Sequence, residues 1–350
     1  MTTLDLESVH QMRPVVDTLP GEPVPYAITS GEGQRYEVDG QLWTVVARAA
    51  DSGNAFDAAF VLGPRGASAP FHSLAEHQRS YVVFEGSVQV WLPGESRVLG
   101  TGDTIHVPPG VPVAYRMLSE MTKLLFWSAP GGALDALLEG ESPVATHVYP
   151  AADVPPPSGR LIVPGGASVH DLPQVDARDG DDVALPGGVE PYFLRAGEGD
   201  RRMWPDAVNA FSARGRNTGG RYIAVTTIGA RQPYIPRHFH SQHTENFFCL
   251  SGRIWLWVNG EQVLLTPGDY VHAPAGTIHS FALGGHATRM LGILTTDVFE
   301  PFFDRTGPAT DDHVYTEGMI DPSVMMGRLQ EISDLDVTMV GPPPETPAGL

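Results

Sequence analysis

A long window of this chain recurs at one fixed offset: Gly252 stands 166 residues after Gly86, and residue after residue obeys the same spacing. Tyr26 pairs with Tyr192, Gly31-Glu32-Gly33 with Gly197-Glu198-Gly199, and Arg35 with Arg201. Pro70, His72 and His77 match Pro236, His238 and His243, and Trp91 matches Trp257. Gly102-Asp103 matches Gly268-Asp269, and His106, Pro108 and Gly110 match His272, Pro274 and Gly276. So many coincidences in one register mean a duplicated domain. The 350 residues accommodate two such copies with connecting arms.

Within each copy the period is that of strands and turns. Pro233 and Pro236 argue against helix before His238, and Asn246 to Leu250 reads as a strand. Ser251-Gly252 turns the chain into the strand Arg253 to Val258, and Asn259-Gly260 is a strong hairpin signal. Pro267-Gly268-Asp269 and Pro274-Ala275-Gly276 make further turns. Short strands at this interval predict an all-β jelly roll or small barrel. Short helices are expected at 131–139 and 297–305, and a further one within 319–335. The tail from Pro342 to Leu350 is expected to be mobile.

The second copy concentrates metal-binding side chains. His238 and His240, two apart, share a face only on an extended strand, because on a helix they diverge by roughly 200 degrees. Glu245 follows, and His279 returns after the hairpin. Three imidazoles and one carboxylate suit a divalent first-row transition metal. The spacing His238-x-His240-x4-Glu245-x6-Gly252, with Gly268-x5-Pro274-x-Gly276-x2-His279, resembles the two signature motifs of the cupin superfamily. Leu283 departs from the Asn often found there, at a position that is not a ligand. The duplication then makes the chain similar to a bicupin, all-β, with two tandem jelly-roll barrels and short flanking helices.

The first copy has lost the chemistry. At the positions of His240, Glu245 and His279 it carries Leu74, Arg79 and Val113, and only His72 remains. A guanidinium in place of a carboxylate removes an anionic ligand and adds a cation that repels metal. His72, Glu76 and His77 could form an alternative set, but nothing from the second motif completes it. The first lobe is therefore read as metal-free, a structural or dimer-forming partner. The expected boundaries are an N-terminal cupin domain over 1–145, a linker over 146–189, a metal-binding cupin domain over 190–318 and a C-terminal arm over 319–350.

Composition narrows the partners. A formal net charge of −19 disfavours nucleic acid and anionic membranes. No run approaches the roughly 20 apolar residues of a membrane span, and residues 1–14 lack a signal peptide's apolar core. The single cysteine, Cys249, excludes an intramolecular disulfide and suits the cytoplasm, where it reads as a small buried hydrophobe. Phe247, Phe248, Trp255, Trp257, Phe281, Met290 and Ile293 alternate between strand faces, and the inward half would wall an apolar pocket for an aromatic substrate.

A second resemblance sits in the copies' openings, Pro25-Tyr26-Ala27-Ile28 and Pro191-Tyr192-Phe193-Leu194-Arg195, and in the segment His238 to Phe248. These are similar to bicupin quercetin 2,3-dioxygenases over roughly residues 20–310. That resemblance implies cleavage of a flavonol heterocycle by O2 with release of carbon monoxide. It also implies one divalent metal (Fe, Mn, Ni, Co or Cu), and Glu245 serving as both ligand and catalytic base with a raised proton affinity. Fungal relatives carry metal in the first barrel, whereas here the intact set lies in the second. Related bicupins are often dimers, so a homodimer is compatible with the resemblance. The other reading is a non-oxidative cupin: an isomerase or lyase, or a pirin-like bicupin that binds a small molecule in regulation.

Overall fold

The structure is a computed structural model that describes residues 14–150, 167–319 and 332–345. It divides into two compact units, one of Met1–Ser30, Gly199–Gly215 and Gly220–Leu350, the other of Gly31–Glu198 and Arg216–Gly219. Each is a sandwich of a large and a small sheet, antiparallel except where Val15–Val16 pairs parallel with Tyr26–Ile28.

In the first of these units the large sheet runs, edge to edge, through Val15–Val16, Tyr26–Ile28, Tyr270–Ala273, Thr244–Ser251, Thr288–Thr295, Ile223–Gly229, Ala207–Ala213 and Asp200–Trp204. Its small sheet runs Glu261–Leu265, Ile254–Val258, His279–Leu283, Arg237–Phe239 and Thr338–Gly341. Between them lies an apolar core that includes Phe247, Ile254, Leu256, Val258, Val271 and Leu283. Cys249 belongs to this core, and burial pushes its thiol up to about 12, with Asp269 adding to the effect. The other unit repeats the order, with Tyr192–Leu194, Thr104–Val107, Gln78–Glu85, Thr122–Ala129, Asp57–Gly63, Gln41–Ala47 and Gln34–Val38 in its large sheet.

Turn glycines fix the hairpins that carry the motifs. Gly252 has φ +82°, and a side chain there would stand 2.9 Å from the Thr288 Cα. Gly86, its counterpart, has φ +81° and would meet the Met121 carbonyl at 2.5 Å. Both positions are closed to residues with a Cβ.

The units do not follow the expected boundaries of 1–145 and 190–318. Tyr26–Ile28 pairs with Tyr270–Ala273 in the unit built mainly from the second copy, with Tyr26 opposite His272. Tyr192–Leu194 pairs with Thr104–Val107 in the unit built from the first copy, with Tyr192 opposite His106. Each opening strand thus completes the other copy's sheet. Packing and polar contacts hold the exchange. Tyr26 lies 5.1 Å from the His272 ring, and the Ser30 N–H donates to Asp269 at 2.7 Å. Tyr192 stacks on His106 at 5.1 Å, and the Ala196 N–H donates to Asp103 at 2.9 Å. An edge strand must find a backbone partner, and the tyrosine–histidine and glycine–aspartate pairs of the repeat serve that contact.

The described parts of the segments after each barrel are held to the sheets. Ala167–Val169 pairs with Ser68–Leu74, and Trp91 donates to the Val175 carbonyl at 2.8 Å. Thr338–Gly341 pairs with Arg237–Phe239, and Arg237 holds the Pro342 carbonyl at 2.8 Å, so the chain is tethered beyond the expected start of the tail. The expected helices near 131 and 297 are present as Ala133–Leu137 and as Asp297–Phe299 continued by Glu300–Thr306. Of the helix expected within 319–335, residues 320–331 lie outside those described.

Candidate metal centre

His238 sits on the short strand Arg237–Phe239, with His279 as its direct cross-strand partner. His240 follows just after that strand's end. Glu245 opens Thr244–Ser251 in the facing large sheet, opposite Ala273 and Leu294. The sandwich therefore brings together a strand pair from one sheet and a carboxylate from the other. All four side chains are buried, and one ligand-capable atom from each lies within 4.8 Å of the others.

The backbone sets which ring nitrogens face inward. Nδ1 of His238 donates to the Pro236 carbonyl at 2.9 Å, and Nδ1 of His279 to the Thr277 carbonyl at 3.0 Å. Nδ1 of His240 donates to the Asp336 carbonyl at 2.5 Å. A carbonyl can only accept, so each Nδ1 carries the proton and each neutral ring turns an Nε2 lone pair inward. The His240 Nε2 is buried with no hydrogen-bond partner, 3.7 Å from Glu245. The His279 Nε2 lies 2.8 Å from a Glu245 oxygen. Two lone pairs at that separation repel; a second proton on the ring or a cation shared between the groups resolves the contact. The donor set fits a divalent transition metal on these grounds.

Electrostatics agree with a site of neutral imidazoles and one carboxylate. Burial, reinforced by the neighbouring His279 and His240, holds the His238 pKa well below the usual range. Burial takes His240 down to about 4, although Glu245 opposes it. Burial would raise the Glu245 pKa, but His240, His243 and His279 outweigh it and hold the carboxyl well below the carboxylate range. The expected rise in its proton affinity is not found. Glu245 is ionised, the form in which a base accepts a proton.

Asp336 is the site residue that sequence reasoning missed. Its carboxylate accepts from the Ser241 N–H and hydroxyl at 2.8 and 2.7 Å, from the Gln242 N–H at 2.9 Å and from His243 Nδ1 at 2.7 Å. Burial alone would raise its pKa, yet these bonds bring it to about 2. It fixes the loop between His240 and Glu245, and with His240 and His243 forms a second metal-capable group. No local motif marks it. The one available sign was an acidic residue in an arm read as peripheral.

An apolar pocket of about 960 Å³, its mouth included, opens onto His238 and Glu245. Of the expected wall residues, Phe247, Phe281 and Met290 line it. Phe248 instead packs on Tyr270 at 4.6 Å, and Trp255 and Trp257 join a separate cluster with Tyr234 and Ile278. Further wall residues include Trp204, Phe299, Phe302 and Phe303 of the helical segment, and Val337 and Met339 beside Asp336. The Phe-Glu-Pro-Phe-Phe run at 299–303 was the available signal for the aromatic part.

In the first copy, Leu74, Arg79 and Val113 are all buried where the ligands would stand. The His77 Nδ1 is committed to the Pro130 carbonyl at 3.0 Å. Among the described residues, the metal-capable groups all lie in the second copy and the arm that follows it, and His72, Glu76 and His77 form none.

Residues 59–128 and 224–293 each match the family described as Cupin domain. Over 338 residues the chain is 32% identical to quercetin 2,3-dioxygenase of Bacillus subtilis, spanning 93% of this chain and 98% of the relative. It is 29% identical over 142 residues to quercetin 2,3-dioxygenase of Aspergillus japonicus, spanning 37% of this chain and 40% of that protein. Among solved structures, oxalate decarboxylase from Bacillus subtilis aligns with a TM-score of 0.52 at 14% identity, over 89% of this chain and 87% of that one. Protein Ylba from E. coli aligns with a TM-score of 0.54 at 12% identity, over 83% of this chain and 97% of that one. At such identities these two establish a shared fold and nothing about the reaction.

Proposed function

This chain belongs to the cupin superfamily as a bicupin, and from that premise we propose a metal-dependent dioxygenase that opens the heterocycle of a flavonol such as quercetin, or of a related enolisable aromatic. The observation that carries the reading is one juxtaposition: three inward-facing Nε2 atoms converge with the ionised Glu245, and two members of that group, His238 and Glu245, line an aromatic-walled pocket. The similarity to the Bacillus subtilis enzyme over nearly the whole chain supports it.

His238, His240, Glu245 and His279 would hold one divalent metal: iron, manganese, nickel, cobalt or copper. When bound, it supplies Lewis acidity for an enolisable hydroxyl and an open position for oxygen chemistry. Glu245 accepts the proton of the substrate's 3-hydroxyl at a carboxylate oxygen. Phe281, Phe302 and Trp204 offer flat apolar surface for the substrate's rings, and the apolar lining disfavours water beside the reacting carbons. The substrates are thus a small aromatic molecule and O2.

Incubation of metal-replete protein with quercetin, in air and under anaerobic conditions, tests the reading. Loss of the flavonol's visible absorbance and release of carbon monoxide are expected in air only. Intact quercetin in air would favour the non-oxidative reading, an isomerase, a lyase or a pirin-like binder.

A further inference from the structure

The pocket beside the candidate metal centre offers few partners to a polar ligand. Among the described residues that line it, the polar side chains are Trp204, Thr227, Thr306, His238 and Glu245. The first three are already paired within the protein. Trp204 Nε1 donates to the Thr306 hydroxyl at 3.2 Å, and that hydroxyl donates to the Phe302 carbonyl at 2.7 Å. The Thr227 hydroxyl donates to the Asn209 side-chain oxygen at 2.7 Å. His238 and Glu245 belong to the metal centre. The backbone adds little. Val225, Thr227, Met290 and Gly292 lie in strands paired on both sides. The Ile235 N–H donates to the Phe281 carbonyl at 3.0 Å, and the Ile235 carbonyl accepts from the Ser280 hydroxyl at 2.5 Å. The aromatic part of the wall is also fixed. Arg214 holds Glu300 at 2.8 Å and Asp304 at 3.1 Å, on the helical segment that presents Phe299, Phe302 and Phe303.

We propose, resting on the flavonol reading above, that this pocket selects enols with apolar, sparsely hydroxylated rings, so that 3-hydroxyflavone binds more tightly than quercetin. The 3-hydroxyl oxygen is provided for at the metal centre. Each further hydroxyl that enters the pocket leaves water for a wall of carbon and goes unpaired. That loss weakens binding by roughly 5- to 100-fold for each hydroxyl so buried. Quercetin is hydroxylated on both of its outer rings, so it meets this penalty whichever end enters. The aromatic rings and Met290 reward the bare ring system through apolar contact alone.

Anaerobic titration of the metal-replete protein with each flavonol, followed by absorbance, measures the two dissociation constants without turnover. 3-Hydroxyflavone is expected to bind at least about fivefold more tightly. Equal affinity, or tighter binding of quercetin, overturns the proposal. A more apolar compound leaves water more readily for any pocket, so Met290→Gln supplies the control. It places an amide on a side chain of similar length in the wall and should bring the ratio of the two constants severalfold closer to one. Phe281→Tyr, which adds a hydroxyl to a half-buried ring of the wall, repeats the control should the first variant not fold. An unchanged ratio in a folded variant shows that the wall does not set the preference and rejects the proposal. Because oxygen is excluded, the outcome separates from that of the dioxygenase reading. The expected order of affinities can stand while quercetin survives in air, and carbon monoxide can be released by a protein that binds quercetin the more tightly. Failure of both flavonols to bind rejects the two readings together.

Discussion

The Asp336 carboxylate accepts a hydrogen bond from Nδ1 of His243 at 2.7 Å across 93 residues of sequence, and its backbone carbonyl accepts one from Nδ1 of His240. The arm that follows the second barrel is thereby part of the candidate metal centre. Val337 and Met339, on the same segment, line the pocket, so one stretch of chain orients a ligand and shapes the cavity.

Asp336→Ala should lower metal affinity about 10- to 100-fold, the usual effect of removing a group that orients a ligand. Competition with a chromophoric chelator measures it, with circular dichroism to verify that the barrels remain folded. Unchanged affinity would mean that His240 and its loop hold their places without the carboxylate.

Metal content should depend on one copy alone. His279→Ala is expected to reduce bound metal from about one ion per chain to near zero, because it removes a ligand and leaves Glu245 without its 2.8 Å neighbour. His72→Ala should leave content unchanged. Elemental analysis of both variants, purified without chelators, decides the matter, and metal lost equally from each would place an ion in the first barrel.

Glu245→Gln should retain some metal, since the three imidazoles remain, while flavonol turnover falls by roughly 10²- to 10⁴-fold with the loss of the base. Stopped-flow absorbance under air reads the rate. Turnover at the wild-type level would assign proton acceptance to another group.

Acid should destabilise the metal-free protein. Burial lowers His240 from its ordinary 6.5 to about 4, so between those values the unfolded chain binds the proton and the folded one does not. Stability therefore falls as pH drops through that window. Asp336, brought from 3.8 to about 2 by its hydrogen bonds against the opposing effect of burial, adds a loss with the same sign from pH 3.8 downward. Asp57, raised by burial to about 6, acts in the opposite sense between 3.8 and 6. His238 and His72 side with His240, so the net slope is set by the histidines. Melting temperatures of EDTA-treated protein from pH 7 to 4 should decline, and a flat or rising profile would contradict the buried, neutral histidines.

Much of this protein was legible in its residues. The spacing of His238, His240, Glu245 and His279, with the glycines of the intervening turns, announced both the strands and their convergence. Strand alternation and a glycine at positive φ are short-range constraints, and short-range constraints are written locally. The failure of the first copy was equally plain, because Leu74, Arg79 and Val113 replace ligands by residues that cannot serve. The repeat itself fixed the number of barrels.

What the sequence did not reveal was which segments lie at the edges. Tyr26 and Tyr192 were visible as a matched pair, but that each strand completes the other copy's sheet depends on contacts with His272 and His106 far along the chain. The same holds for Asp336, for the walls supplied by Phe302 and Met339, and for the wall expected of Trp255 and Trp257, which face elsewhere. An open sheet edge accepts any strand that can reach it, and a hydrophobic residue packs on whichever face its neighbours leave. Those choices rest on long-range packing, and only the tertiary structure settles them.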